Sequence, residues 1–289
     1  PVAQQREVVG HAVRAVYMYS AMADVDAFTG RHDYDAALDS IWRNITDARM
    51  HITGGLGAIH GHEGFGKNYE LPNKESYNET CASVGNVLFN VRMFLRTGNA
   101  KFMDVAEIAL LNNVLVGTNL AGNRFFYVNP LEADGQTPFN KGTPGRAPWL
   151  ETACCPTNLA RLIPQVPGFM YAHDREGVYV TLFGSSSTSI ELPTGKINLR
   201  QEADYPFDGR IVVHVQPETQ GHAFALRVRI PTWARSDQFV PGELYHYAGP
   251  DRASWELQVN GQALHPKLEN GFAVIKRSWS AGDRVTLDL

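Results

Sequence analysis

The apolar residues of this 289-residue chain change period once, near residue 174. That change restricts the fold to a helical part followed by a β part. Before the switch, Val8, Ala12, Ala15, Val16 and Tyr19 form one stripe in Gln4 to Ala23, and Tyr34, Ala37, Ile41 and Ile45 form another in Asp33 to Arg49. Helical patterning returns from Cys81 to Arg96, with Gly98 as its stop, and from Lys101 to Val116. After the switch come short alternating runs rich in Val, Leu, Ile and Thr: Val178 to Phe183, Arg210 to Val215, Ala223 to Ile230 and Trp255 to Val259. Asn260-Gly261 and Asn270-Gly271 are residues that tolerate the positive φ of tight hairpins. The expected domains are therefore 1–173, helical, and 174–289, antiparallel β.

Charge excludes some functions. Lys and Arg number 26 against 30 Asp and Glu, a net of −4 with no block of like charge. This argues against nucleic acid or an anionic membrane as partner. No apolar run approaches the roughly 18 residues of a membrane span, and the N-terminus has no basic segment followed by an apolar one. The chain reads as soluble, and as cytoplasmic rather than secreted. Two sequons, Asn44-Ile45-Thr46 and Asn78-Glu79-Thr80, would matter only in a secreted protein.

The chemistry concentrates in three places. Between Met50 and Thr80 the helical period disappears and six glycines fall between Gly54 and Gly66. Long ordered loops in compact domains are usually functional. This loop holds His60-Gly61-His62-Glu63, open to three readings: a metal site, a catalytic Glu63 held near an apolar ring such as Phe65, or solvated loop residues. At its end, Glu79-Thr80-Cys81 sets a carboxylate and a thiol on one face of extended chain. Further on, Cys154-Cys155-Pro156 places two thiols at or just before a helix whose first residue is expected to be Pro156. The positive end of a helix dipole favours thiolate there. Three cysteines are an odd number for a disulfide framework. Three thiolates with one carboxylate would suit Zn²⁺; as buried thiols they would merely be small apolar groups. Other templates are missing: there is no H-E-x-x-H helix, Gly-x-Ser-x-Gly elbow or P-loop lysine.

The segments VVGHAVRAVYMY, ITGGLGAIHGHEGFG, YELPNKESYNETCAS, FFYVNPLE and CCPTNLARL resemble, in the same order, glycoside hydrolase family 127 β-L-arabinofuranosidases and the related family 146. The resemblance implies an (α/α)6 barrel followed by an antiparallel β-sandwich, a carbohydrate substrate and a zinc-bound cysteine nucleophile. Carried over by position, it implies that Glu79, Cys81, Cys154 and Cys155 ligate Zn²⁺, that Cys154 is also the nucleophile, and that Glu63 is the acid/base. His11 and Tyr127 match positions that face the sugar. Such a mechanism needs Glu63 protonated at the outset, so its pKa is expected above the ordinary value of about 4.3. Sugar epimerases on the same barrel, and a non-enzymatic glycan-binding or structural zinc protein, are the alternatives. Family members are longer, so the chain is expected to be a central piece without the first barrel helices and the last β-structure.

Overall fold

The computed structural model describes residues 1–249 and 253–289. A helical first part is followed by two largely antiparallel sheets, as the change of period anticipates. The chain divides into two compact units. One comprises Pro1–Thr97, Phe102–Pro164 and Val240–His246; the other comprises Gly98–Lys101, Gln165–Phe239 and Tyr247–Leu289.

In the helical unit, α1 (Ala12–Thr29) buries Ala12, Ala15, Val16, Tyr19, Met22 and Ala23. It stops at Gly30, whose left-handed conformation lets its N–H bond the Asp26 carbonyl at 2.8 Å. Helix α2 (Asp35–Asn44) buries Ala37, Leu38, Ile41 and Trp42, and the Trp42 indole donates to Asn90 Oδ1 at 2.8 Å. It runs on into a wider π turn, Ile45–Arg49.

Helix α3 (Thr80–Thr97) is buried on most sides and lies along α1. It carries polar groups inward, each with a partner: Asn86 donates to the Gly54 carbonyl at 2.9 Å, and Asn90 donates to the Asn86 carbonyl at 2.9 Å. Helix α4 (Ala100–Ala109) continues as a π turn, Leu110–Val114, and a 3-10 turn, Leu115–Gly117. Helix α5 is Cys154–Leu162. It begins two residues earlier than Pro156 suggested, so both cysteines lie inside its first turn rather than ahead of it. Past Leu162 a 3-10 stretch, Ile163–Phe169, accommodates Pro164 and Pro167.

The β unit begins with β1 (Tyr171–His173), β2 (Gly177–Val180), β3 (Ser186–Leu192) and β4 (Gly195–Ala203). Strands β5 (Arg210–Pro217) and β6 (His222–Arg229) come before a short helix, α6 (Thr232–Arg235). After it follow β7 (Glu256–Val259), β8 (Gln262–Leu264), β9 (Leu268–Glu269), β10 (Phe272–Trp279) and β11 (Asp283–Asp288). One sheet has the order β1-β2-β6-β10-β9 and the other β3-β4-β5-β11-β7-β8. All the pairings are antiparallel except β2 with β6.

The alternation read in the sequence is the inward face of these strands. Ile211, Val213 and Val215 of β5 and Ile197 and Leu199 of β4 share one apolar core with Val178, Val180, Leu226 and Val228 of the other sheet. Each such side chain contributes roughly 1.5–3 kcal/mol by leaving water. Both predicted hairpins are present: Asn260 and Gly261 have φ of 53° and 80°, and Asn270 and Gly271 have 51° and 82°.

Helices α1 and α3 approach closely because α3 carries Gly85 there. A Cβ on Gly85 would collide with Val16 Cγ2, a buried and stiff β-branched side chain, and would stand 3.3 Å from the Tyr17 ring. Gly85→Ala is therefore expected to destabilise the protein by about 1–3 kcal/mol through overpacking, despite alanine's better helix propensity. Denaturant unfolding would measure this, and a stabilised variant would disprove the close packing.

Candidate active site

Each element of the helical unit delivers one part of the site. The glycine-rich loop is folded back on the start of α1: Ala12 N–H bonds the Glu63 carbonyl at 3.0 Å, Phe65 N–H bonds the Gly10 carbonyl at 2.9 Å, and His11 bridges Gly64. Glu63, left-handed at φ 52°, thus comes to lie beside His11. Deeper in the loop, His51 is 1% exposed, with Ser76 Oγ 2.9 Å from its Nε2. Burial pulls its pKa down to about 4.

The loop ends at Asn78, left-handed at φ 38°. Its fully buried amide donates to Asn113 Oδ1 at 3.2 Å and to the Asn129 carbonyl at 2.8 Å. The next residue, Glu79, pairs with Val128 as an isolated bridge, and Thr80 N–H bonds the Tyr127 carbonyl at 3.0 Å. The run 125–128 is pinned in turn by Asn140, also fully buried, whose Oδ1 accepts Tyr127 N–H at 2.7 Å.

Glu79, Cys81, Cys154 and Cys155 converge. One ligand atom from each lies within 4.8 Å of all the others. Cys154 Sγ and Cys155 Sγ are each 3.7 Å from Glu79 Oε1, Cys154 Sγ is 3.9 Å from Cys155 Sγ, and Cys81 Sγ is 3.2 Å from Cys155 Sγ. All three thiols are free. Donors about 2.3 Å from a tetrahedral ion stand about 3.8 Å apart, so three of these four separations suit a zinc-sized ion and one is tighter.

Charge supports the same fit. Glu79 is 2% exposed and its Oε2 is buried with no hydrogen-bond partner among the described residues. Burial, followed by the negative charge on Cys154, pushes its carboxyl up to about 8. A buried carboxylate beside a thiolate is unfavourable until a cation joins it. Hydrogen bonds from Cys155 and Cys81 hold Cys154 far below the usual thiol range; hydrogen bonding to Cys154 raises Cys81, and burial raises Cys155. Cys154 is also the one thiol of the three that is half-buried rather than buried. The thiol with the lowered pKa is thus also the accessible one.

Glu63 lies beside this cluster, and a carboxyl oxygen of it, a His11 nitrogen and a Glu79 oxygen lie within 4.8 Å of one another. Glu63 Oε2 is 3.2 Å from His11 Nε2, and Oε1 accepts the Tyr77 hydroxyl at 2.6 Å. The expected rise in its pKa does not occur. Burial raises it, but the Tyr77 hydrogen bond and the Lys141 ammonium outweigh burial and hold the carboxyl below its ordinary value. Tyr127, 5% exposed, hydrogen-bonds Cys154 and its ring lies edge-on to Tyr77. His60 and His62 are exposed and join no metal-ligand group among the described residues.

Three contributors escaped the sequence reading. Tyr77 lies within the YELPNKESYNETCAS stretch, but nothing in its residue type or spacing assigns it a role. Lys141 arrives from a polar turn with no sequence signal at all. Asn158, one turn along α5 from Cys154, donates through Nδ2 to Cys81 Sγ at 3.0 Å. Its Oδ1 accepts from the Tyr17 hydroxyl at 3.2 Å and from Arg161, which fixes the amide's orientation.

Residues 1–168 match the family model described as beta-L-arabinofuranosidase, GH127 catalytic domain, and residues 177–289 match its GH127 middle domain. A non-reducing end beta-L-arabinofuranosidase from Bifidobacterium longum is 31% identical over 298 residues, an alignment taking in all of this chain and 42% of that protein. Among solved structures, a GH127 beta-arabinofuranosidase superposes with a TM-score of 0.93 at 45% identity, covering 100% of this chain and 44% of that one. A GH127 beta-L-arabinofuranosidase from Geobacillus stearothermophilus T6 gives 0.89 at 36% identity, with 100% and 43% covered. The chain thus spans less than half the length of these relatives. No helix of the described residues is long and apolar enough to cross a membrane.

Two measurements probe this geometry. Asn158→Leu removes the N–H···S bond to Cys81 and is expected to weaken Zn²⁺ binding about 10–100-fold, read by chelator competition. An unchanged affinity would show that the amide does not support the cluster. His51 is neutral in the fold, so the stability it contributes is present above pH 6.5 and is lost as pH falls through about 4. The span corresponds to about 3 kcal/mol. The melting temperature should fall over that interval, and less steeply in His51→Gln.

Proposed function

The chain belongs to glycoside hydrolase family 127, and we propose that the protein hydrolyses β-linked L-arabinofuranosides, or glycosides of a related plant-glycan sugar, with retention of configuration. In this reading residues 1–173 are part of an (α/α)6 barrel that carries the chemistry, and 174–289 are its β-sandwich partner. Cys154 is the nucleophile and Glu63 the acid/base. Glu79, Cys81, Cys154 and Cys155 hold Zn²⁺, and His11 and Tyr127 face the sugar. The observation that carries the proposal is the half-buried Cys154 sulfur, gathered with two buried thiols and a buried carboxylate next to a second, partly exposed carboxylate.

In the first step Cys154 sulfur attacks the anomeric carbon, the bond to the leaving oxygen breaks, and Glu63 gives that oxygen its proton. The product is a thioglycosyl group on Cys154. In the second step Glu63 takes a proton from water, the water oxygen attacks the same carbon, and the carbon–sulfur bond breaks to return the thiolate. Two displacements on one carbon retain its configuration. When bound, the ion would supply positive charge that keeps the Cys154 sulfur deprotonated and offsets the Glu79 carboxylate. Four protein donors complete a tetrahedral set, which is why this reading assigns the ion no water to activate.

The Glu63 side chain is 32% exposed. A sugar seated against it removes water from that face, and desolvation, the largest influence on this carboxyl, favours the protonated form. Proton loading is thereby tied to a sugar seated on the exposed face of Glu63.

Two substitutions test the assignment on a chromogenic β-L-arabinofuranoside. Cys154→Ser is expected to abolish turnover; activity near that of the parent would remove Cys154 as nucleophile and make Glu79 the candidate. Glu63→Gln should lower kcat/KM by about 10²–10⁴-fold on an alkyl β-L-arabinofuranoside, whose leaving oxygen needs the proton, and by much less on the chromogenic one. The anomer first seen by NMR should be the retained one, and inversion would end the two-step reading.

A further inference from the structure

We propose that Lys141 is a positioning residue that selects which oxygen of Glu63 exchanges the catalytic proton. This rests on the acid/base reading of Glu63 above. Lys141 sits in the turn closed by the Asn140–Thr143 bridge, immediately after the buried Asn140 that pins residues 127 and 128. It is left-handed at φ 49°, and Gly142 follows at 93°. A β-carbon in that region is unfavourable by about 1–2 kcal/mol, and the ordinary occupants are Gly, Asn or Asp.

Its ammonium lies 4.2 Å from the centre of the Tyr127 ring and 5.3 Å from that of Tyr77. It donates to the Tyr77 hydroxyl at 2.9 Å and stands 3.5 Å from Glu63 Oε1. An ammonium has only hydrogens to give, so the Tyr77 oxygen must accept from Lys141. The one phenolic hydrogen is then directed to Glu63 Oε1, 2.6 Å away. Oε1 faces a hydroxyl hydrogen and an ammonium, and a third hydrogen on that oxygen would point into both. The exchangeable proton is confined to Oε2, on the side of His11 Nε2 at 3.2 Å. Without Lys141 the Tyr77 hydroxyl is free to rotate and accept a proton from Oε1, and the carboxyl acquires a second, misdirected protonation site.

A role in aiming the acid's proton differs from a role in holding the loop, because it matters in proportion to how much the leaving group needs protonation. The experiment measures kcat/KM, which reports the first displacement, for Lys141→Met on β-L-arabinofuranosides with good (4-nitrophenol) and poor (unsubstituted phenol, alcohol) leaving groups. The expected loss is about 10–100-fold with the poor leaving groups and less than about threefold with the good one, with KM little changed. Tyr77→Phe cuts the same chain one bond later and should give the same pattern, which carries the test if Lys141→Met does not fold. Lys141→Arg, which keeps the charge and the donors, should recover most of the activity. Equal losses across leaving groups, or no loss, would overturn the proposal. Glu63→Gln serves as the control. If it shows the leaving-group dependence and Lys141→Met and Tyr77→Phe do not, only the Lys141 assignment falls; if it shows none, the acid/base reading of Glu63 falls and takes this one with it.

Discussion

A carboxyl group 2% exposed to solvent and three thiols packed within hydrogen-bonding reach of it impose a charge problem that the surrounding architecture is arranged around. Glu79 and Cys81 come from the entry to α3, and Cys154 and Cys155 from the first turn of α5, so the cluster exists only while these two helices stay in register. Helix α1 braces both: it lies along α3 at Gly85, one turn beyond Cys81, and its Tyr17 hydroxyl bonds Asn158 of α5. Adjacent residues on a helix point about 100° apart. That is why neighbouring cysteines can differ, one fully buried and the other half-buried with the lower pKa.

Around the cluster, buried asparagines hold irregular backbone. Asn78, Asn113, Asn129 and Asn140 form few bonds within regular elements; their amides bind loop carbonyls and one another. Both donor and acceptor are available on each side chain, so the loop can be buried without orphaned peptide groups. Glu63 is served differently. Its chain position is set by bridges to the start of α1, while its charge is set by Tyr77 and Lys141, which come from separate parts of the unit.

Much of the fold is legible in the sequence because it is local. The switch from helical to alternating period, the stop at Gly98 and the two Asn-Gly hairpins depend on residues within a turn of one another. The same holds for the junction at Glu79-Thr80-Cys81. Other features are illegible for the opposite reason. The π turns after α2 and α4 and the start of α5 at Cys154 reflect tertiary packing rather than propensity. Residues 240–246 belong to the helical unit although they follow six strands of alternating sequence, and no local pattern announces it. At the site, the thiols and carboxylates are visible as scarce residue types. Lys141 and Asn158 are common types whose importance lies only in the atoms they reach. The pKa of Glu63 departs from the sequence expectation for that reason: its burial is modest, and Tyr77 and Lys141 reach it from separate parts of the chain.

Asn78 opens a sequon, and its side-chain nitrogen is the atom that a glycan would occupy. In the folded chain that nitrogen is inaccessible and engaged with Asn113 and Asn129. Glycosyl transfer in a eukaryotic secretory pathway acts on chains before they close, so there the sequon would be read first and the fold attempted afterwards. A sugar on Asn78 could not be packed against Glu79, and the metal-ligand cluster would not assemble. The choice of production host is thus a structural variable for this protein: a host that glycosylates would convert a buried positioning residue into an obstruction, and Asn78 cannot simply be replaced to avoid it.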